Sequence, residues 1–274
     1  MKSSLDLMMN CDDRTANIGC YPTECIVLAG GFGTRLRTVV SDVPKPLALI
    51  SGVPFLSYLF RHLQRYGIRH VIVSVGYMAE KIVNFCSSYQ IENFQISLVL
   101  EETPLGTGGG CLKAMSLTKT KDIVVCNGDT LSDCNIWDQY DLHLVSKSVA
   151  TLGAIYMEEN TRYGSLEISE SGRIESFLKP GHKNPVVRFG ASQTFVNAGS
   201  YIFSNTLFAG KSFEENFSLE SDFFIPNVCQ LQIFASKFSG FFIDIGIPAD
   251  FDLAQTLLPR WEQNLLNLKT NSHQ

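Results

Sequence analysis

Glu24-Cys25-Ile26-Val27-Leu28-Ala29-Gly30-Gly31-Phe32-Gly33-Thr34-Arg35-Leu36 is the stretch on which the fold of this chain turns. An apolar run of strand length stops at paired glycines, the pattern of a buried parallel strand feeding a loop. Three glycines let backbone N–H groups approach a phosphate chain, because no Cβ stands in the way. The loop lacks GxxxxGK[ST], so it is not a P-loop. It also lacks the third glycine of GxGxxG and the acidic strand end that should follow, which argues against dinucleotide binding.

Outward from this loop the first half alternates. Pro54 opens a helix with Phe55, Leu56, Leu59, Phe60, Leu63 and Tyr66 on one face and Gly67 as its stop. Strands over 70–75, 96–100 and 122–126 alternate with helices over 79–85 and near 111–115. Such βαβ units predict right-handed crossovers and a mostly parallel central sheet flanked by helices, a Rossmann-like α/β fold. Ligands gather at the carboxyl ends of such strands. The polar, Gly-rich strand ends 30–35, 102–110 and 127–130 therefore point to one pocket.

The second half is β-rich, with strand patterns over 151–157, 164–168, 173–177, 194–203 and 241–244. Helices are expected over 218–230 and over 249–258, the latter begun by Pro248. No repeat or low-complexity linker interrupts it. The reading is one domain over 23–260, with halves of about 23–150 and 151–260, a flexible extension over 1–22 and a tail over 261–274.

Composition removes several function classes. Of 274 residues, 45% are hydrophobic and 18% charged, and the formal net charge is −5, so no basic field attracts nucleic acid or an anionic membrane. No run of about 18 apolar residues spans a membrane, and the N-terminus has no signal-peptide core. The eight cysteines show no CxxC spacing, which fits scattered reduced thiols and a cytoplasmic protein. The five histidines have no metal-site or triad spacing, and no GxSxG elbow occurs, so zinc and serine-hydrolase chemistry are disfavoured.

Charged residues near the loop carry the chemistry. Prolines on both sides of Lys45 stiffen its backbone and exclude helix there, and Arg35 follows the glycines. Fixed cations of this kind suit charge developing on phosphate. Asp129 and Asp244 each end an apolar strand. Together they could hold a Mg²⁺ ion, which takes a few hard oxygens and leaves other positions to water and phosphate, although a lone Asp in such a turn also serves as a hydrogen-bonding cap. Asp42 and Asp133 read as solvated, and so does the pair Glu101 and Glu102 unless it faces a ligand.

LAGGFGTRL followed by Pro44-Lys45-Pro46 resembles the N-terminal signature of the sugar-phosphate nucleotidyltransferases. The resemblance continues through Pro104-Leu105-Gly106-Thr107-Gly108-Gly109, Asn127-Gly128-Asp129, Tyr163-Gly164, Asn197-Ala198-Gly199 and Ile243-Asp244-Ile245-Gly246, covering about 24–258. GTRLRTVVSDVPKP, the LGTGG turn and the ending FFIDIGIPADF bring it nearest to the heptose 1-phosphate guanylyltransferase branch.

The resemblance implies the nucleotide-diphospho-sugar transferase fold, GT-A-like, with a smaller sugar-binding β-rich portion. It implies that a nucleoside triphosphate, GTP favoured, and a sugar 1-phosphate, D-glycero-α-D-manno-heptose 1-phosphate favoured, give a nucleotide sugar and pyrophosphate with Mg²⁺ on Asp129 and Asp244. Leu28, Ala29, Gly30, Gly31, Gly33, Thr34, Gly106, Thr107 and Gly128 would hold the nucleotide, and Glu102 would meet the guanine edge. Arg35 would meet the leaving phosphates, and Lys45 would bridge toward the α-phosphate and the incoming group. Gly164, Lys179, Asn197 and Gly199 would hold the sugar 1-phosphate.

One departure stands out. Relatives often read Phe-x-Glu-Lys, with the Glu on sugar hydroxyls, where this chain has Phe177-Leu178-Lys179, leaving Glu175 as a shifted substitute. Other pairings, such as mannose 1-phosphate with GTP, and a catalytically silent nucleotide-sugar-binding subunit are the alternatives. Retention of Arg35, Lys45 and both aspartates argues against the silent form. Oligomeric state is left open, a homo-oligomer included.

Overall fold

A computed structural model describes residues 21–158, 160, 162–179 and 194–271 of the chain. Its first part runs β1 (Glu24–Ala29), β2 (Leu49–Ile50), β3 (Val53–Pro54), α1 (Phe55–Arg65), β4 (His70–Val75), α2 (Ala79–Ser88), β5 (Gln95–Leu100), α3 (Gly106–Met115) and β6 (Asp122–Asn127). Then follow β7 (Thr130–Ser132), α4 (Ile136–Val145), β8 (Ala150–Met157), β9 (Ser165–Ile168), β10 (Ile174–Leu178) and β11 (Thr194–Ser204). A π-helix, Leu219–Phe224, leads into α5 (Ile225–Asn227), and β12 (Ile233–Phe238), β13 (Phe242–Asp244) and α6 (Pro248–Asn271) complete the chain.

Nine of these strands form one mixed sheet. β1 lies at its centre, parallel to β4 on one side and to β6 on the other, and β5 extends the parallel set beyond β4. Helices connect these strands, so each returns in the same direction. After Glu24, which is buried but hydrogen-bonded to His70 and the Lys119 N–H, β1 is apolar because both of its faces are covered. Cys25, Val27 and Ala29 join a core with α1 and α6, whereas Ile26 joins one with Cys111 and Ala114 of α3. This is the two-residue alternation of a strand read against two buried surfaces.

β11 crosses from one part of the sheet to the other. Its end, Ser200–Ser204, runs antiparallel to β6, while Phe195 and Val196 pair with β9. β8 flanks both segments, with a register shift between Asn197 and Tyr201. β12 lies parallel outside β8, and β13 pairs antiparallel with β7 in a separate two-stranded ladder.

The structure differs from the sequence reading in several places. Lys45–Leu47 forms a single 3₁₀ turn where the flanking prolines are expected to exclude helix. Pro46 fits there because the first residues of a helix need no N–H partner. The helix expected over 218–230 is shorter and partly π. Phe223 and Phe224 are both fully buried, and the wider π turn brings these neighbours toward one face.

The final helix does not stop at 258 but continues through Pro259. Proline removes the bond that would reach the Gln255 carbonyl, and the Ser51 hydroxyl supplies it instead at 2.7 Å. The supposed tail therefore carries buried Trp261, and Glu262 makes a paired contact with Arg61 at 2.7 and 2.8 Å. Tyr21, assigned to a loose extension, packs on Trp137 and Tyr140. Five of these elements have no counterpart in the sequence reading: β2, β3, β7, α4 and β12. Asp133, read as solvated, is half-buried, and that burial raises its pKa.

Cys25, Cys86, Cys111, Cys126 and Cys134 are buried free thiols and Cys229 is exposed. Cys11 and Cys20 lie outside the described residues. No described helix is long and apolar enough to cross a membrane.

Candidate active site

Two cavities open at the carboxyl ends of β1 and β6. The first, of about 430 Å³, is walled by Leu28, Ala29, Gly30, Gly31 and Gly33 after β1, by Gly106 and Thr107 at the start of α3, and by Lys45 and Asp129. The second, of about 410 Å³, is walled by Gly164, Asn197, Gly199, Asp244 and Arg35, among others. Thr107 and Asn127 belong to both walls, so the cavities meet there.

The glycine loop is shaped by what crosses it. A Cβ on Gly30 would lie 2.1 Å from Glu101 Oε1, and one on Gly33 would lie 2.9 Å from Lys45 Cγ. Gly33 also has φ +60°, a conformation that side chains disfavour. Glycine at 30 and 33 thus lets the Glu101 carboxylate and the Lys45 stem reach the first cavity.

Asp129 and Asp244 come together through the β7–β13 ladder. Asp244 opposes Thr130, and the N–H of Ile245 donates to the Asp129 carbonyl at 3.0 Å. Each acid has a cationic neighbour. Lys45 Nζ donates to Asp129 Oδ2 at 2.8 Å, and Arg162 Nη2 donates to Asp244 Oδ2 at 2.6 Å. Arg162 also pairs with Asp250 and stacks over the Tyr163 ring. Asp244 further accepts from Tyr163 OH at 3.2 Å and from the Gly246 N–H at 2.7 Å.

Burial pushes the Asp244 pKa up, the nearby Asp129 charge pushes it further, and Arg162 opposes both. Mutual repulsion between two facing carboxylates, each drawing a cation, is the electrostatic mark of a site that suits added positive charge. The described residues hold no cluster of three or more acidic, His or Cys metal donors. Two carboxylates fit an ion such as Mg²⁺, which completes its shell with water and phosphate oxygens rather than with a protein cage.

Several expected positions stand elsewhere. Arg35, expected at the leaving phosphates, stands in the wall of the second cavity, on the side of Gly164 and Asn197. Thr34 is exposed and lines neither cavity. Gly128 is buried and lines neither cavity, and its N–H donates to the Leu28 carbonyl at 2.8 Å, tying the end of β6 to β1. Glu102 is exposed and the preceding Glu101 takes the pocket position. Adjacent residues at a strand end face opposite ways, and the sequence pair could not be separated by spacing alone. Glu101 Oε1 accepts from Ser74 Oγ at 2.8 Å and Oε2 from the Leu105 N–H at 3.2 Å.

Lys179 is exposed at the end of β10 and lines neither cavity, and neither does Glu175. Sequence reasoning also passed over Arg162 and Glu220. Only the adjacency of Arg162 to Tyr163-Gly164 could have drawn attention to it.

Comparison with known proteins accords with this geometry. The family described as nucleotidyl transferase matches residues 24–253. The D-glycero-alpha-D-manno-heptose 1-phosphate guanylyltransferase of Aneurinibacillus thermoaerophilus is 37% identical over 238 residues, which cover 87% of this chain and 99% of that protein. The Campylobacter jejuni protein of the same name is 33% identical over 228 residues, 83% of this chain and 96% of its own length. Among solved structures, HddC from Yersinia pseudotuberculosis complexed with GMP-PN has a TM-score of 0.73 and 30% identity, covering 85% of this chain and 98% of that one.

Proposed function

The chain belongs to the nucleotidyl transferase family, and from that premise we propose that it joins GTP to D-glycero-α-D-manno-heptose 1-phosphate, giving GDP-heptose and pyrophosphate. The observation that carries this reading is the pair Asp129 and Asp244, brought side by side by the β7–β13 ladder where a glycine-walled cavity meets a second one.

In the reaction an oxygen of the sugar 1-phosphate attacks the α-phosphorus as the bond to pyrophosphate breaks in line. The second pKa of a phosphate monoester is about 6, so the nucleophile is already an anion and needs no general base. The barrier is anion repulsion, and positioning with fixed positive charge lowers it. A Mg²⁺ ion on Asp129 and Asp244 supplies Lewis-acid charge to the phosphate oxygens when bound. Lys45, held by Asp129 against Gly33, faces the α-phosphate. Arg35 and Arg162 in the second wall face the phosphate of the incoming sugar.

Glu101 supports guanine. Guanine offers two adjacent donors, the ring N–H and the 2-amino group, and an ionised carboxylate accepts from both. Uracil and thymine set carbonyl oxygens on either side of their one ring N–H, which a carboxylate repels. The heptose assignment rests on the similarity to the two guanylyltransferases.

The test is pyrophosphate release, crossing GTP, UTP, CTP and dTTP with heptose, mannose, glucose and N-acetylglucosamine 1-phosphates in Mg²⁺. GTP with heptose 1-phosphate should give the highest kcat/KM. Absence of release with every pair would overturn the reading.

A further inference from the structure

We propose that Glu220 is the residue that reads the hydroxyl groups of the sugar, a position that nothing in the chain's local sequence pattern marks. The proposal rests on the second cavity being the sugar 1-phosphate site. Among the described residues of that wall two carry carboxylates, Asp244 and Glu220. Asp244 is engaged by Arg162, Tyr163 and the Gly246 N–H. Glu220 differs: its contact with Asn197 Nδ2 is long, at 3.4 Å. An ionised carboxylate has about four acceptor positions, so most of the capacity of this exposed, cavity-lining group is unclaimed among the described residues.

The segment that carries Glu220 is held from below and at its start. Leu219, Phe223 and Phe224 are buried beneath it. Ser218 caps the turn by accepting from the Ser221 N–H at 3.2 Å, and the Leu219 N–H donates to Thr107 Oγ1 at 2.9 Å. Glu220 thus projects from a π turn whose flanks cannot shift freely, and such turns recur at functional sites.

Its neighbours fix the rest of the geometry. Asn197 Oδ1 accepts from the Gly199 N–H at 3.1 Å and its Nδ2 donates to Tyr201 OH at 3.0 Å, which commits the amide to holding its own strand. A Cβ at Gly164 would lie 2.6 Å from the Leu178 carbonyl, which requires glycine there, and that position stands 3.8 Å from Glu220 Oε1, so the Gly164 backbone and the Glu220 carboxylate line the cavity side by side. No acid precedes Lys179, since Leu178 stands there.

Neighbouring hydroxyls on a pyranose ring present two O–H donors to one side. A carboxylate takes both in charge-assisted hydrogen bonds, each stronger than a neutral one. The same group rejects an analogue that lacks a donor, because a desolvated acceptor is then left without its partner.

The experiment compares the parent with Glu220→Ala and the near-isosteric Glu220→Gln, using the sugar 1-phosphate and analogues with single ring hydroxyls replaced by hydrogen. In the parent, loss of a contacted hydroxyl should lower kcat/KM about 10- to 100-fold, the range for hydrogen bonds to a charged group. In Glu220→Ala that penalty should fall to about threefold or less, with KM for the sugar phosphate raised and KM for the nucleotide unchanged. Glu220→Gln should fall between the two. A purely structural role would move both KM values and leave the deoxy penalty intact, and that result overturns the proposal. If the parent turns over and Glu220→Ala keeps the parent's sugar KM, the proposal alone fails. If the parent releases no pyrophosphate with any pair, the function reading fails and the proposal with it.

Discussion

The two cavities are built in opposite ways. The first is mostly backbone: β1 ends, glycines follow, and side chains from elsewhere pass through the space that absent Cβ atoms leave. The second is mostly side chain, with Arg35, Arg162, Asn197, Glu220 and Asp244 arriving from separate segments. A backbone site suits a part shared by every substrate, such as a phosphate chain. A site of projecting side chains suits the part that varies. On the proposed reading, the phosphate chain lies against backbone and the sugar against side chains, with Asp129 lining the first cavity and Asp244 the second.

Perturbing the first cavity should yield the largest effect. Lys45→Ala removes a fixed cation from the reacting phosphates and should lower turnover by about 10²–10³ in steady-state pyrophosphate release. A rate within threefold of the parent would dissolve the division. Next in size, Glu101→Gln should cut the preference for GTP over ITP, which lacks the 2-amino donor, by about 10- to 100-fold in kcat/KM. An unaltered ratio would mean that base choice does not reside at Glu101.

A third effect lies where α1 packs against Trp261 of α6. Burial, assisted by Arg65, lowers the His62 pKa to about 3, and its Nδ1 has no hydrogen-bond partner among the described residues. The folded protein therefore excludes a proton that the unfolded chain binds below about pH 6.5. His62 imposes no such loss above that pH, and stability should decline as pH falls from about 6.5 toward 3, by about 1.4 kcal/mol per unit. Urea melts at pH 6.5, 5.5 and 4.5 should show His62→Leu losing less than the parent over that window; parallel slopes would refute it.

The smallest effect tests the seam. Thr107 sits on α3 yet accepts the Leu219 N–H that anchors the π turn. Thr107→Val should destabilise by about 1 kcal/mol and raise the KM for sugar phosphate more than that for nucleotide. Equal changes in both would say that the seam transmits nothing.

The same contrast decides what the sequence discloses. The glycine loop and β1 have local spacing, so periodicity and glycine position reveal them, whereas Asp129 and Asp244 stand at strand ends that pattern alone leaves open to a capping role and only the family resemblance singles out. α4 was hidden because its pattern is inverted. Gln139 and His143 are buried while Leu144 and Val145 are exposed, the last at 84%. Gln139 is accommodated by donating to the carbonyls of Thr151 and Ser200 at 2.9 and 3.1 Å, partners that only tertiary structure supplies. Asn135, which caps the helix through the N–H groups of Trp137 and Asp138, was the overlooked signal. The side chains of the second cavity have no common spacing at all. Arg162 and Asp244 are 82 positions apart, so their meeting is a fact of topology.

β11 has a mechanical consequence. One unbroken strand is laced to β6 at its end and to β9 near its start, with β8 alongside both. Such a spar prevents the molecule from gaping like two jaws on a hinge. Loading bulky reactants and discharging pyrophosphate must then depend on the loops at the rim, and a nick within β11 would loosen both halves together rather than free either one.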